Sequence, residues 1–120
     1  MSRIILVEDD LDIQRIYSGK LKNQGHEILL APNASLAIQY INDRKPNLVL
    51  LDIMLPGKMN GFEFLSALKK NPETKDIPVV VLTNLDTEKE EAMDLGADDY
   101  LIKANLSLED LAQKVVKFAK

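Results

Sequence analysis

The sequence predicts a three-layer α/β domain on a five-stranded parallel sheet, and two patterns lead to it. Runs of Ile, Leu and Val of strand length alternate with stretches whose apolar residues recur at helical spacing, the mark of repeated βα units. The strand runs are apolar at successive positions, as suits strands covered by helices on both faces. A chain of 120 residues has room for one such core.

Taken in order, the first strand is expected at residues 4–7 (Ile-Ile-Leu-Val), followed by a helix whose core-facing stripe is Ile13, Ile16, Tyr17 and Leu21. The second strand, residues 28–30, precedes a helix carrying Ala37, Ile38 and Ile41. The third, residues 48–51 (Leu-Val-Leu-Leu), precedes a helix carrying Phe62, Leu65 and Leu68. The fourth, residues 79–82, leads to the weakest helix, residues 88–95, which has little apolar surface and a stop at Gly96. The fifth strand, residues 100–102, leads to a helix with Leu108, Leu111, Val115 and Phe118. Ser107 opens that helix with Asp110 three residues on, a variant of the capping box.

Composition narrows the function. Apolar residues make up 46% and charged residues 28% of a chain with five glycines and five prolines, which suits a globular domain. The apolar runs are too short to span a bilayer, and the N-terminus lacks the long apolar core of a signal peptide, so a cytoplasmic location is expected. With no cysteine, disulfides, thiolate metal sites and cysteine nucleophiles drop out. A formal net charge of −4 argues against direct nucleic-acid binding, which draws on clustered Lys and Arg. Lys114, Lys117 and Lys120 on the last helix read as a solvated face. Asn105-Leu106-Ser107 reads as a chance match to a glycosylation acceptor, and His26 as structural. Gly19, inside the first helix, costs up to about 1 kcal/mol against alanine without a functional reason. Neither a linker nor a repeat interrupts the chain, so one domain over residues 1–120 is expected, with no output domain.

Ligand sites in open parallel sheets gather at the carboxyl ends of the strands. Here the first strand ends in Glu8-Asp9-Asp10, the third in Asp52, the fourth in Thr83 and the fifth in Lys103. Carboxylates placed directly after apolar runs are costly to desolvate unless paired or metal-bound, and hard oxygen ligands suit Mg²⁺. Each residue also has an ordinary role open to it. The three acids suit a helix N-terminus, Asp52 a turn before Pro56-Gly57, Lys103 the surface, Thr83 a helix cap, and Tyr100 an edge strand with its hydroxyl in water.

Taken together, Ile5-Leu6-Val7-Glu8-Asp9-Asp10, residues 48–57 around Asp52, Val81-Leu82-Thr83 and residues 96–103 ending in Lys103 resemble the receiver domain of two-component response regulators. The resemblance covers the whole chain. It implies a flavodoxin-like sheet with strand order 2-1-3-4-5, and Asp52 as acceptor of a phosphoryl group from a histidine kinase or phosphotransfer protein. It further implies Mg²⁺ held by Glu8, Asp9, Asp52 and the main-chain carbonyl of Met54, with Asp9 the direct ligand and Glu8 acting through water. Lys103 and Thr83 are then the groups that meet the phosphoryl oxygens, and Tyr100 is the aromatic switch. The implied output is a changed surface on the fourth helix, fifth strand and fifth helix, read by a downstream protein, in a monomer or a phosphorylation-dependent dimer. Such a domain catalyses only its own phosphorylation and dephosphorylation.

Some positions depart from the family pattern. Ala104 stands after Lys103 where proline with a cis peptide is usual, and a cis bond to alanine costs roughly 2.5–4 kcal/mol, which leaves the conformation of this loop open. Asn84 follows Thr83 where alanine or glycine is commoner, and its bulk is expected to narrow access and slow phosphotransfer. The segment from Thr83 to Lys103 is shorter than usual, which predicts an unusual output surface, and the loop 56–61 is longer. Met54 and Leu85 are both apolar, which predicts slow hydrolysis of the phosphoaspartate. Two rivals share parts of the pattern: a small Mg²⁺-dependent phosphohydrolase using an aspartyl phosphate, and a phosphorylation-independent interaction domain. The chain shows neither a cap insertion nor a second acid two residues after Asp52, which disfavours the first, and it keeps the full set of site residues, which the second would not need.

Overall fold

Side chains alternate between two faces along every strand, and here each face finds its own core. The computed structural model describes residues 2–119. Its order is β1 (Arg3–Val7), α1 (Leu11–Asn23), β2 (Glu27–Ala31), α2 (Ala34–Arg44), β3 (Leu48–Leu51), α3 (Gly61–Lys70), β4 (Val79–Thr83), α4 (Lys89–Asp94), β5 (Asp99–Ile102) and α5 (Leu108–Phe118). A one-turn 3₁₀ helix (Lys103–Asn105) stands between β5 and α5. The five strands are parallel and ordered β2-β1-β3-β4-β5, so the chain reverses direction across the sheet between β1 and β3. This is the three-layer, flavodoxin-like arrangement that the sequence predicts.

Ile5, Val7, Val49, Leu51, Val79 and Val81 face one core with residues of α2, α3 and α4. Ile4, Leu6, Leu48, Leu50, Val80 and Leu82 face the other, with Tyr17 and Leu21 of α1 and Leu111 and Val115 of α5. All twelve of these strand residues are buried, which explains why the strand segments read as unbroken apolar runs.

The helices follow their stripes with some shifts of phase. In α1 the buried residues are Gln14, Tyr17, Ser18 and Leu21, while Ile16 is 43% exposed rather than core-facing. Ile16 lies about 100° around the helix from Tyr17, and the buried face is centred on the Gln14 side instead. In α3 Phe64 is fully buried and Phe62 only partly, and in α5 Leu108 sits in the exposed first turn. The Ser107–Asp110 capping box is present, and a second, Asn60 with Glu63, opens α3. α4 has only six residues and stops before Gly96, whose φ of +107° suits glycine. Lys114 does not simply face solvent: its ammonium meets Asp99 at 2.9 Å, and the Lys117 ammonium lies 5.2 Å from the centre of the Phe118 ring. Lys120 lies outside the described residues. Among the described residues, no helix is long and apolar enough to cross a membrane.

Candidate functional site at the carboxyl ends of the strands

The sheet's hydrogen bonds continue past β1 and β3 and bring two acids side by side. The Glu8 amide donates to the Ala31 carbonyl and the Asp52 amide to the Val7 carbonyl, each at 2.9 Å. Glu8 is only 2% exposed. One of its carboxylate oxygens accepts the Asp10 amide at 3.2 Å, and the other pairs with the Lys103 ammonium. Asp52 has a 10% exposed side chain, accepts the Met54 amide at 2.9 Å, and meets the same ammonium at 3.0 Å. Lys103 therefore reaches across from β5 to bridge both acids, rather than lying on the surface.

Asp9 completes the group from a more exposed position. Glu8, Asp9 and Asp52 each offer a carboxylate oxygen, and these oxygens all lie within 4.8 Å of one another. Opposite ligands around Mg²⁺ stand about 4.2 Å apart, twice a bond of ~2.1 Å, so the donor set fits one hard cation with little adjustment. Asp10 plays a different part: its carboxylate caps α1, accepting the amides of Asp12 and Ile13 at 2.9 and 3.0 Å. The capping role holds for the third acid of the run and not for Glu8.

Charge and burial act against each other here. Burial raises the Glu8 pKa, and the Lys103 hydrogen bond offsets this only in part. Burial alone would lower that of Lys103, but its bonds to Glu8 and Asp52 outweigh burial and hold it above the usual lysine value. The ammonium is thus firmly protonated beside two acids, a fixed positive point at the sheet edge.

The two remaining predicted residues sit on β4 and β5. Thr83 is buried, and its Oγ1 accepts the Leu85 amide at 3.2 Å, leaving its own proton free for another acceptor. Tyr100 is 6% exposed, and its hydroxyl donates to the Leu85 carbonyl instead of facing water. Burial raises its pKa. Leu85 is therefore held from both sides, by the threonine through its amide and by the tyrosine through its carbonyl.

None of the described peptide bonds is cis, so the peptide between Lys103 and Ala104, which the sequence leaves open, is trans. The chain turns instead through the 3₁₀ helix, and the Ala104 amide donates to the Asn84 side-chain carbonyl at 3.1 Å. The two unusual residues are partners, a contact the sequence reading missed. Gly61 was missed too: a Cβ there would stand 2.2 Å from the Ile53 Cα, so only glycine fits where α3 starts against the segment after Asp52. Its one sequence signal is its place directly after the Asn60 cap. His26 lies in the turn into β2, at the opposite end of the strands from these acids, and its buried Nδ1 has no hydrogen-bond partner among the described residues.

Comparison with known proteins agrees with the fold. The response regulator receiver domain family matches residues 4–116. The phosphate regulon transcriptional regulatory protein PhoB of Pseudomonas aeruginosa is 41% identical over 102 residues, covering 83% of this chain and 44% of PhoB. Protein PilH of the same organism is 36% identical over 105 residues, covering 86% of each chain. The Mn²⁺-bound response regulator Rcp1 superposes with a TM-score of 0.85 at 32% identity, over 98% of this chain and 94% of that one. The chain belongs to the response regulator receiver domain family, the phosphoacceptor class of two-component signalling. It is a signalling domain and not a conventional enzyme, and neither the hydrolase nor the phosphorylation-independent reading is favoured. Receiver domains bind Mg²⁺ at an acidic pocket and are served by histidine kinases or phosphotransfer proteins. The chain spans less than half the length of PhoB.

Proposed function

We propose that Asp52 is the phosphoacceptor, and that Glu8, Asp9, Asp52 and the Met54 carbonyl hold the Mg²⁺ that assists it. A carboxylate oxygen of Asp52 attacks the phosphorus of a phosphohistidine on the partner, the P–N bond breaks, and its electron pair stays on the imidazole. Charge spreads over the equatorial phosphoryl oxygens in the transition state, so fixed positive groups there supply most of the protein's contribution. Lys103 is such a group, already 3.0 Å from Asp52. The metal, when bound, neutralises further negative charge on those oxygens.

After transfer, the phosphoryl group offers strong acceptor oxygens where a carboxylate stood. The Thr83 proton and the Lys103 ammonium gain charge-assisted bonds to it that exist only in this state. Thr83 and Tyr100 share Leu85, so a shift of Thr83 reaches the ring and the α4–β5–α5 face, the surface a downstream protein reads. Met54 and Leu85 are both apolar, so neither offers a polar group to orient an attacking water, and a long-lived phosphorylated state is expected. The same reading makes the domain its own slow phosphatase, cytoplasmic, without direct nucleic-acid contacts, and monomeric or dimeric on phosphorylation.

The observation that carries this reading is Lys103 bridging Glu8 and Asp52 beside Asp9. Intact-protein mass spectrometry after incubation with acetyl phosphate and Mg²⁺ tests it. One labile phosphate is expected on the wild type and none on Asp52→Asn. A wild-type chain that takes no phosphate from a small donor or a kinase would defeat it, and fast multiple turnover of phosphate esters would favour the hydrolase.

A further inference from the structure

We propose that Asn84 is a positioning residue for Lys103, holding the loop that carries the ammonium through the Ala104 amide. The proposal rests on the roles given above to Asp52 and Lys103. The first amides of any helical turn have no partner within it, and the 3₁₀ helix that begins at Lys103 has no capping side chain from its own flanks. Its far end is closed by the Leu106 amide donating to the Lys103 carbonyl at 3.2 Å. Near its start, the Ala104 amide finds its acceptor twenty residues away, at the Asn84 Oδ1. Asn84 therefore caps, from the loop just after β4, the turn that aims Lys103 between Glu8 and Asp52.

The position of Asn84 gives the contact its consequence. It lies between Thr83, whose Oγ1 accepts the Leu85 amide, and Leu85, whose carbonyl accepts the Tyr100 hydroxyl. The loop after β4 is thus tied to the switch tyrosine by one bond and to the lysine loop by another. A residue at 84 with no side-chain acceptor leaves the Ala104 amide to water and frees the turn to swing. Lys103 then samples positions away from Asp52, and misplacing a catalytic group by a small distance lowers the rate.

This role opposes the expectation that the bulk of Asn84 slows phosphotransfer by narrowing access, and Asn84→Ala separates the two. An obstructing side chain, once removed, raises the rate of phosphorylation by acetyl phosphate. A tether, once removed, lowers it. With a single hydrogen bond at stake, we expect a drop of about threefold to tenfold at saturating Mg²⁺, with Mg²⁺ affinity unchanged. Asn84→Asp keeps an acceptor oxygen at the same place and is expected to restore most of the rate.

Two NMR readouts distinguish positioning from general support. In Asn84→Ala the Ala104 amide should exchange faster with solvent, and the Lys103 ammonium resonance should shift or broaden, while the melting temperature stays close to wild type. Both signals should return in Asn84→Asp. An unchanged or faster phosphorylation rate in Asn84→Ala, or an unchanged Lys103 ammonium, would overturn the proposal. A wild-type chain that takes no phosphoryl group would overturn the reading of Asp52 instead, and the two resonances would still decide whether Asn84 holds Lys103.

Discussion

The two ends of the sheet carry ion networks of similar make-up in very different surroundings. At the amino end, Arg3 and Arg44 both pair with Glu27, at 3.2 and 2.5 Å, with side chains 30–47% exposed. At the carboxyl end, Lys103 pairs with Glu8 and Asp52, and none of these side chains is more than 12% exposed. Water screens the first network, and such pairs contribute little to stability. The second is held in a confined space with more acid than base, where every charge is felt. The same kinds of charged group are thus left open to water at one end and closed away from it at the other.

The largest contrast should come from glycines. Gly61→Ala, at the carboxyl end, drives a methyl group into the Ile53 backbone and is expected to cost about 3 kcal/mol or more in denaturant unfolding. Gly25→Ala, at the amino end, meets open space, and only its φ of +91° opposes it, at about 1 kcal/mol. Equal costs would remove the claim that the carboxyl end is the tightly built one.

Removing the cations comes next. Lys103→Ala leaves two acids close together without a counter-charge and should lower stability by about 1–3 kcal/mol, proton uptake by Glu8 limiting the loss. Arg44→Ala should cost under about 1 kcal/mol. Added salt should narrow the effect of Arg44→Ala more than that of Lys103→Ala.

Mg²⁺ should act at one end only. A divalent ion that binds the folded chain raises its melting temperature by mass action. Asp9→Asn should remove that rise, whereas Glu27→Gln should keep it. An undiminished rise in Asp9→Asn would take Asp9 out of the metal site.

The smallest effect lies between the two ends in exposure, at Asp99. Burial alone would raise its pKa, but bonds from Lys114 and the Tyr100 amide outweigh burial and leave it below the usual value. A folded-state value below the unfolded one gives stability that is present at neutral pH and lost as pH falls through the folded value. Lys114→Ala should therefore cost about 0.5–1 kcal/mol at pH 7, and its difference from wild type should vanish in acid. A difference that persists in acid would mean that Lys114 acts through packing.

Much of this was legible in the sequence because burial on both faces leaves unmistakable apolar runs, and the acids and the lysine stand directly at their ends. Helix phase was less legible: Ile16 reads as core by type, but Gln14 and Ser18 take the buried face of α1. Tyr100 had two readings, and only the place of Leu85 decided that its hydroxyl is held rather than wet. The Asn84–Ala104 contact was out of reach, since it depends on a backbone turn that brings residues twenty apart to 3.1 Å. Gly61 was hidden for the same reason, because close approach of two backbones leaves no pattern in composition.

The confined end of the sheet is proposed above to serve the phosphorylation of Asp52. Borohydride reduction of the freshly phosphorylated protein, followed by peptide sequencing, tests it at the residue, because an aspartyl phosphate is reduced to homoserine while a free carboxylate is not. Homoserine is expected at position 52, dependent on Mg²⁺. Homoserine at position 9 or at another acid, with position 52 unchanged, would contradict it.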